Sequence, residues 1–159
     1  MKMQALAGLA LALGAVTAAA ATPAAAQNYN GTPNYGEINL SAGFTPDPYL
    51  QVLRAGGGYA ASNLSSECQG YVTEAPDVRL YWDGKGSLPI KISVMANADT
   101  SLIVNGPGGE WYCDDDGGDG TNPLVLLNAV PGRYEIWIGT YESGDSRPAV
   151  LSISEVTNF

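Results

Sequence analysis

From residue 36 onward the chain is built of short runs in which apolar and polar positions alternate. The clearest sets Leu88, Ile90, Ile92 and Val94 against Pro89, Lys91, Ser93 and Met95, the period of two of a half-buried strand. Val78, Leu80 and Trp82 share one side of another run, opposite Asp77, Arg79 and Tyr81, and Asp83-Gly84 follows as a turn signal. Ile38 and Leu40 lie on one face of a first strand. Tyr49 to Arg54 reads as a second, stopped by Gly56-Gly57-Gly58, and Pro46 and Pro48 before it mark a turn or an edge. Thr100 to Asn105 breaks at Gly106-Pro107-Gly108-Gly109; Glu110 to Cys113 and Leu124 to Leu127 are shorter. Pro131-Gly132 turns into Arg133–Tyr141, which sends Tyr134, Ile136 and Ile138 inward and Trp137 and Tyr141 outward. Ala149, Leu151 and Ile153 mark a last strand. Many short strands punctuated by 20 Gly and 10 Pro, with no helical stripe, predict one all-β domain: an antiparallel β-sandwich or jelly roll over 36–159.

The first 26 residues follow another rule. Lys2 precedes an Ala/Leu run from Ala5 to about Ala21, and Ala24-Ala25-Ala26 supplies the small residues of a cleavage site. This predicts a bacterial-type cleaved signal peptide over 1–26 and a secreted or periplasmic protein. Gln27 to Tyr35, polar and rich in Asn, Gly and Tyr, reads as a flexible mature N-terminus. No other apolar run is long enough to span a bilayer.

Charge narrows the partners. The chain carries 7 Lys and Arg against 16 Asp and Glu, a formal net charge of −9, and loss of Lys2 with the leader makes the rest more acidic. Such a surface repels nucleic acid and anionic lipid. The expected partners are a protein or a glycan outside the cytoplasm, with self-association a further option. There is no histidine, so neither a Ser-His-Asp nor a Cys-His pair can be assembled. A carboxylate pair is the chemistry left to a hydrolase, and the expectation is a protein that is not an enzyme. Cys68 and Cys113 are the two cysteines; in an oxidising compartment they are expected to form a disulfide.

Two groups of residues stand out as candidate sites. Cys113-Asp114-Asp115-Asp116-Gly117-Gly118-Asp119-Gly120-Thr121-Asn122 gathers carboxylates among glycines. Hard cations take oxygen clusters of this kind, so Ca2+ is the candidate cofactor, with Asp114, Asp116 and Asp119 as ligands and Asp99 joining from a neighbouring strand. The spacing is not that of an EF-hand, and the alternative use of these side chains is to accept hydrogen bonds from turn amides. The second group is Trp137 and Tyr141, outward-facing aromatics that suit stacking on a sugar ring or a partner, or that lie under a loop. Asp77 and Arg79 read as members of surface ion pairs, which contribute little.

The order of motifs carries a resemblance. Asp99-Thr100 leads an apolar strand, then come Gly106-Pro107-Gly108-Gly109, Asp114-Asp115-Asp116-Gly117, and Gly132-Arg133-Tyr134 opening a late strand. This order resembles the bacterial pre-peptidase C-terminal domain, over about residues 36–156. Cys68-Gln69-Gly70-Tyr71-Val72 with Ala75-Pro76-Asp77-Val78-Arg79-Leu80 resembles a stand-alone secreted branch often labelled serine-peptidase-like. The resemblance implies a β-sandwich that accompanies secreted hydrolases and assists binding, secretion or maturation. Calcium is used by some relatives, which adds to the reading of Asp99 and Asp114–Asp116. No peptidase domain is attached here, so the function expected is a secreted non-catalytic binding or accessory module. The alternatives are a self-assembling cell-surface protein and a carboxylate hydrolase.

Overall fold

A computed structural model describes residues 28–158. The leader expected at 1–26 lies outside them. Eleven strands form: β1 (Glu37–Leu40), β2 (Tyr49–Ala55), β3 (Tyr59–Ala60), β4 (Tyr71–Val72), β5 (Val78–Trp82), β6 (Ile90–Ala96), β7 (Thr100–Asn105), β8 (Trp111–Asp114), β9 (Leu124–Leu127), β10 (Gly132–Thr140) and β11 (Arg147–Ser154). The helical content of the described residues is one short 3-10 turn, Ala61–Asn63.

The strands make two sheets. The larger has the order β1-β5-β10-β4-β3, with β7 on the other side of β10 and β8 beyond β7. The smaller is β2-β11-β6-β9. Pairing is antiparallel except between β1 and β5, which run parallel with Ile38 opposite Leu80. That exception follows from connectivity: after β1 the chain crosses to the small sheet as β2 and returns through β3 and β4 before β5 is laid down. Asp83-Gly84 likewise carries the chain between sheets and does not close a hairpin, since β5 and β6 belong to different sheets. β7 and β8 do form a hairpin, closed by Gly106 N–H donating to Glu110 O and by Gly109 in the left-handed region at φ +89°.

The alternating runs turn their apolar sides toward one another. Val78, Leu80, Trp82, Tyr134, Ile136 and Ile138 of the large sheet meet Leu53, Ile90, Ile92, Val94, Leu151 and Ile153 of the small one, the layered core of a sandwich. A second, smaller core lies on the outer side of the large sheet. There Ala61, Cys68, Val72, Ile103 and Trp137 pack together, flanked by Tyr59, Leu64, Trp111 and Cys113. The chain between β3 and β4 forms a lid over this half of the sheet, and Cys68 and Cys113 are disulfide-bonded with Cα atoms 5.1 Å apart.

The segment expected to be a flexible N-terminus, 27–35, is a strap from residue 28 on. Asn28 N–H donates to Glu74 O, Asn34 N–H to Pro76 O and Tyr35 N–H to Asp77 O. The Tyr35 hydroxyl accepts the Arg54 N–H from β2 at 2.9 Å, so the strap also covers one point on a small-sheet edge. Its polar composition reflects these backbone and side-chain bonds and not a lack of structure.

Candidate functional site

The large sheet's outward face is half covered. Trp137, Ile103 and Cys113 stand in register across β10, β7 and β8, beneath the disulfide-fastened lid. Trp137 is therefore fully buried. The expectation that it is an exposed aromatic is corrected: it does face away from the main core, but the lid closes over it. Tyr141, just past β10, is 56% exposed.

One row further along, the lid ends and the side chains become polar. Glu37, Arg79, Glu135, Asn105 and Trp111 lie directly opposite one another across β1, β5, β10, β7 and β8. Arg79 Nε donates to Glu135 Oε1 at 2.6 Å and its Nη1 to Glu37 Oε1 at 2.7 Å. Arg79 Nη2 donates to Gly31 O of the strap at 2.9 Å. Arg133 Nε stands 2.9 Å from the same Glu135 Oε1. Arg79 and Glu135 are both buried, so the surface pair expected at Arg79 is an interior network: the strap lies over it. The Glu135 hydrogen bond, working against burial, raises the Arg79 pKa and keeps the guanidinium charged. Burial pushes the Glu135 carboxyl above its ordinary range, and the hydrogen bond and charge of Arg79, then the charge of Arg133, pull against it.

A cleft of about 500 Å3 opens beside this row, within the size range of small-molecule sites. Glu135, Asn105, Trp111, Arg133 and Tyr29 line it, with Gly106, Pro107 and Gly109 of the β7–β8 hairpin as one wall. Trp111 packs on Trp137 with ring centroids 5.7 Å apart and also borders the cleft. Glu135 Oε1 takes both guanidinium groups, whereas its Oε2 is buried and has no hydrogen-bond partner among the described residues. Trp137 Nε1, two residues along the same face, is also without one. An unsatisfied buried polar atom costs about 1–3 kcal/mol, and a buried ion pair is itself a poor stabilising device. The sequence carried one signal for this place: Glu135 is the one carboxylate of β10 and stands between Arg133 and Trp137 on its outward side.

In the acidic loop, the Asp114 side chain expected as a metal ligand makes hydrogen bonds within the fold. Asp114 Oδ2 accepts the Gly117 N–H and the Leu124 N–H, each at 2.8 Å. Asn122 Oδ1 accepts from Ala96 N–H and from the Thr100 hydroxyl, both at 3.1 Å, and its Nδ2 donates to Ala96 O. The loop is thus pinned to β6, β7 and β9 through side-chain bonds. Asp99, Asp114, Asp116 and Asp119 do not converge as a ligand set, and among the described residues no three acidic or thiol side chains are grouped to hold a metal ion. Asp114 is engaged by the Gly117 and Leu124 amides. Asp115 feels the crowding: burial first, then the charges of Asp116, Asp114 and Asp99, raise its pKa.

The small sheet's outward face carries an apolar patch among serines and basic side chains. Val52, Val150 and Met95 lie in one row, and Leu50, Ser152, Ser93 and Leu124 in the next. Val52 is 72% exposed, and an open groove of about 800 Å3 runs past Val52, Met95, Pro148 and Val150 to Gly118 and Asp119. None of the chain's 16 carboxylates lies in these four strands, which carry Arg54, Lys91 and Arg147. Among the described residues no helix is long and apolar enough to cross a membrane.

No family model and no curated protein matches the chain. Among solved structures, it is similar to the pre-peptidase C-terminal domain of a collagenase from Bacillus anthracis, the domain whose motif order the sequence resembles. The identity is 14% and the TM-score 0.46, over 79% of this chain and 100% of that one. It is also similar to PliG of Aeromonas hydrophila, a periplasmic inhibitor of g-type lysozyme, at 13% identity and a TM-score of 0.38, over 74% of this chain and 96% of that one.

Proposed function

We propose that this protein is an extracytoplasmic binding module, not an enzyme, and that it binds through the cleft on the large sheet. One observation carries the reading: Glu135 Oε2, a buried acceptor without a partner, belongs to a side chain that lines an open cleft with Trp111, Asn105 and Arg133. A ligand donor that reaches Oε2 as the Glu135 side chain turns toward the cleft would relieve the cost of that atom, which is closed off and unpaired in the free protein. The disulfide supports a place outside the cytoplasm, where such bonds persist. The missing histidine leaves no His-based nucleophile activation.

The test is a ligand screen on the purified protein, read by melting temperature and tryptophan emission, across neutral sugars, short peptides, amines and carboxylates. A ligand of any of these classes that stabilises the protein, with loss of the effect in Trp111→Leu, supports the reading. Silence across all four classes, with the protein folded, overturns it.

A second reading has its own observation. The exposed apolar patch of Leu50, Val52 and Leu126 on these carboxylate-free strands favours association with another protein surface or another copy. Sedimentation of the wild type against Val52→Lys separates the two: an assembly that dissolves in the variant favours this second use of the fold.

A further inference from the structure

We propose that the ligand of the large-sheet cleft is a neutral saccharide, with a pyranose ring stacked on Trp111 and a ring hydroxyl donating to Glu135 Oε2. The inference rests on the reading of the cleft as a binding site and names what enters it.

The charges select against ions. Arg79 and Arg133 meet Glu37 and Glu135 within one bonded network, so the positive and negative groups balance. An ammonium group seeking Glu135 would approach a carboxylate already held by two guanidinium groups. A carboxylate or phosphate seeking Arg133 would meet Glu135 beside it. A neutral donor suffers neither penalty. An ionised carboxylate accepts only, so what Oε2 requires is an O–H or N–H. A sugar hydroxyl supplies one and can also accept from Arg133. Asn105 is committed through Nδ2 to Glu110 O at 3.2 Å, which leaves its carbonyl as a further acceptor for hydroxyls.

The shape agrees with the chemistry. The C–H face of a pyranose is flat and apolar while its rim is polar, the division a half-buried aromatic beside hydrogen-bonding side chains accommodates. Trp111 is backed by Trp137 and braced by the neighbouring disulfide at Cys113, so its ring is ordered before the ligand arrives and little rotamer freedom is lost on binding. Tyr29, 48% exposed on the strap, also lines the cleft.

The experiment titrates the purified protein with neutral oligosaccharides of glucose, galactose, xylose and N-acetylglucosamine, following tryptophan emission and heat. Lysine, choline, acetate and a neutral hexapeptide serve as comparison ligands. At least one oligosaccharide should bind, and Asn105→Ala and Tyr29→Ala should each weaken it about tenfold or more while near-UV circular dichroism stays that of the wild type. Glu135→Gln should weaken it as well; should that variant misfold, the Asn105 and Tyr29 variants keep the test alive. Saccharide binding that is indifferent to all of these changes overturns the placement. No saccharide bound at millimolar concentration overturns the ligand class. If an amine or peptide then binds in a Trp111-dependent way, the binding-module reading survives without the sugar; if no class binds, both fall together.

Discussion

Asp77 Oδ2 accepts the backbone N–H of Ile138 at 2.8 Å, both groups buried. The contact sits where β10 changes neighbours. Its first half pairs with β5 as far as Ile136 opposite Val78, and its end pairs with β4 at Thr140 opposite Tyr71. Between them lies a gap in the ladder. Asp77 fills it twice, donating its own N–H to Ile136 O and offering its carboxylate to Ile138 N–H. On its far side Oδ1 accepts from Asn34 Nδ2 at 3.0 Å, so one side chain joins the central strand to the N-terminal strap.

Asp77→Ala should therefore destabilise the fold by about 2–4 kcal/mol, combining an orphaned buried N–H with a small cavity. Asp77→Asn keeps one oxygen acceptor for the donors around it and should cost less. Urea unfolding of both variants checks the order. Equal losses would mean that the carboxylate is not closing the gap in the ladder.

The same residue makes stability depend on pH. Burial raises the Asp77 pKa to about 6 from 3.8, outweighing the hydrogen bonds from Ile138, Asn34 and Thr73. Between those values the folded chain holds a proton that the unfolded chain has lost. The protonated group's contribution is complete below the unfolded value and is lost as pH rises through about 6. It amounts to at most about 3 kcal/mol. Glu135, whose pKa is also raised by burial, acts in the same direction. The stability gap between wild type and Asp77→Asn should thus shrink as pH rises from about 4 to about 7. A gap that is constant, or that widens, would contradict the raised pKa.

The strands were legible because their signal is local. Ile90, Ile92 and Val94 alternate with polar neighbours within one run, and each is fully or almost fully buried. β3 and β4, two residues each, are too short for a period to register. The Cys68–Cys113 bond was accessible from compartment and count. The Glu37–Arg79–Glu135–Asn105–Trp111 row was not, because its members come from five separate strands and meet only through register. Trp137 shows the other limit: alternation told which way the indole points, but the lid that buries it comes from a segment far away in sequence.

That lid yields a prediction through the disulfide. Cys68 and Cys113 are 45 residues apart, and in the chain-entropy account such a bond contributes about 4 kcal/mol. The doubly substituted Cys68→Ser, Cys113→Ser protein should melt at a lower temperature. Because the lid covers Trp137 and flanks Trp111, its emission should shift to the red and acrylamide quenching should rise before global unfolding. A lower melting temperature with unchanged quenching would show that lid packing, and not the bond, holds the second core closed.

The acidic loop offers the sharpest contrast between two uses of the same residues. If Asp114 serves as an amide acceptor for Gly117 and Leu124, then Asp114→Ala removes both bonds and frees the start of β9. The loss should be about 1–3 kcal/mol and the same with or without calcium. Asp116, exposed and outside these bonds, should be replaceable by Asn at little cost, and even with a slight gain, since one of the charges that raise the Asp115 pKa is removed. A cation site predicts the reverse pattern: millimolar calcium would raise the wild-type melting temperature, and Asp116→Asn would blunt that rise. Melting curves of the wild type and the two variants, each with calcium and with chelator, decide between them. A calcium-dependent shift lost in Asp116→Asn would mean that the carboxylates rearrange around an ion. Four calcium-independent curves for wild type and Asp116→Asn, with Asp114→Ala alone displaced, would establish the loop as a hydrogen-bonded clamp between the sheets.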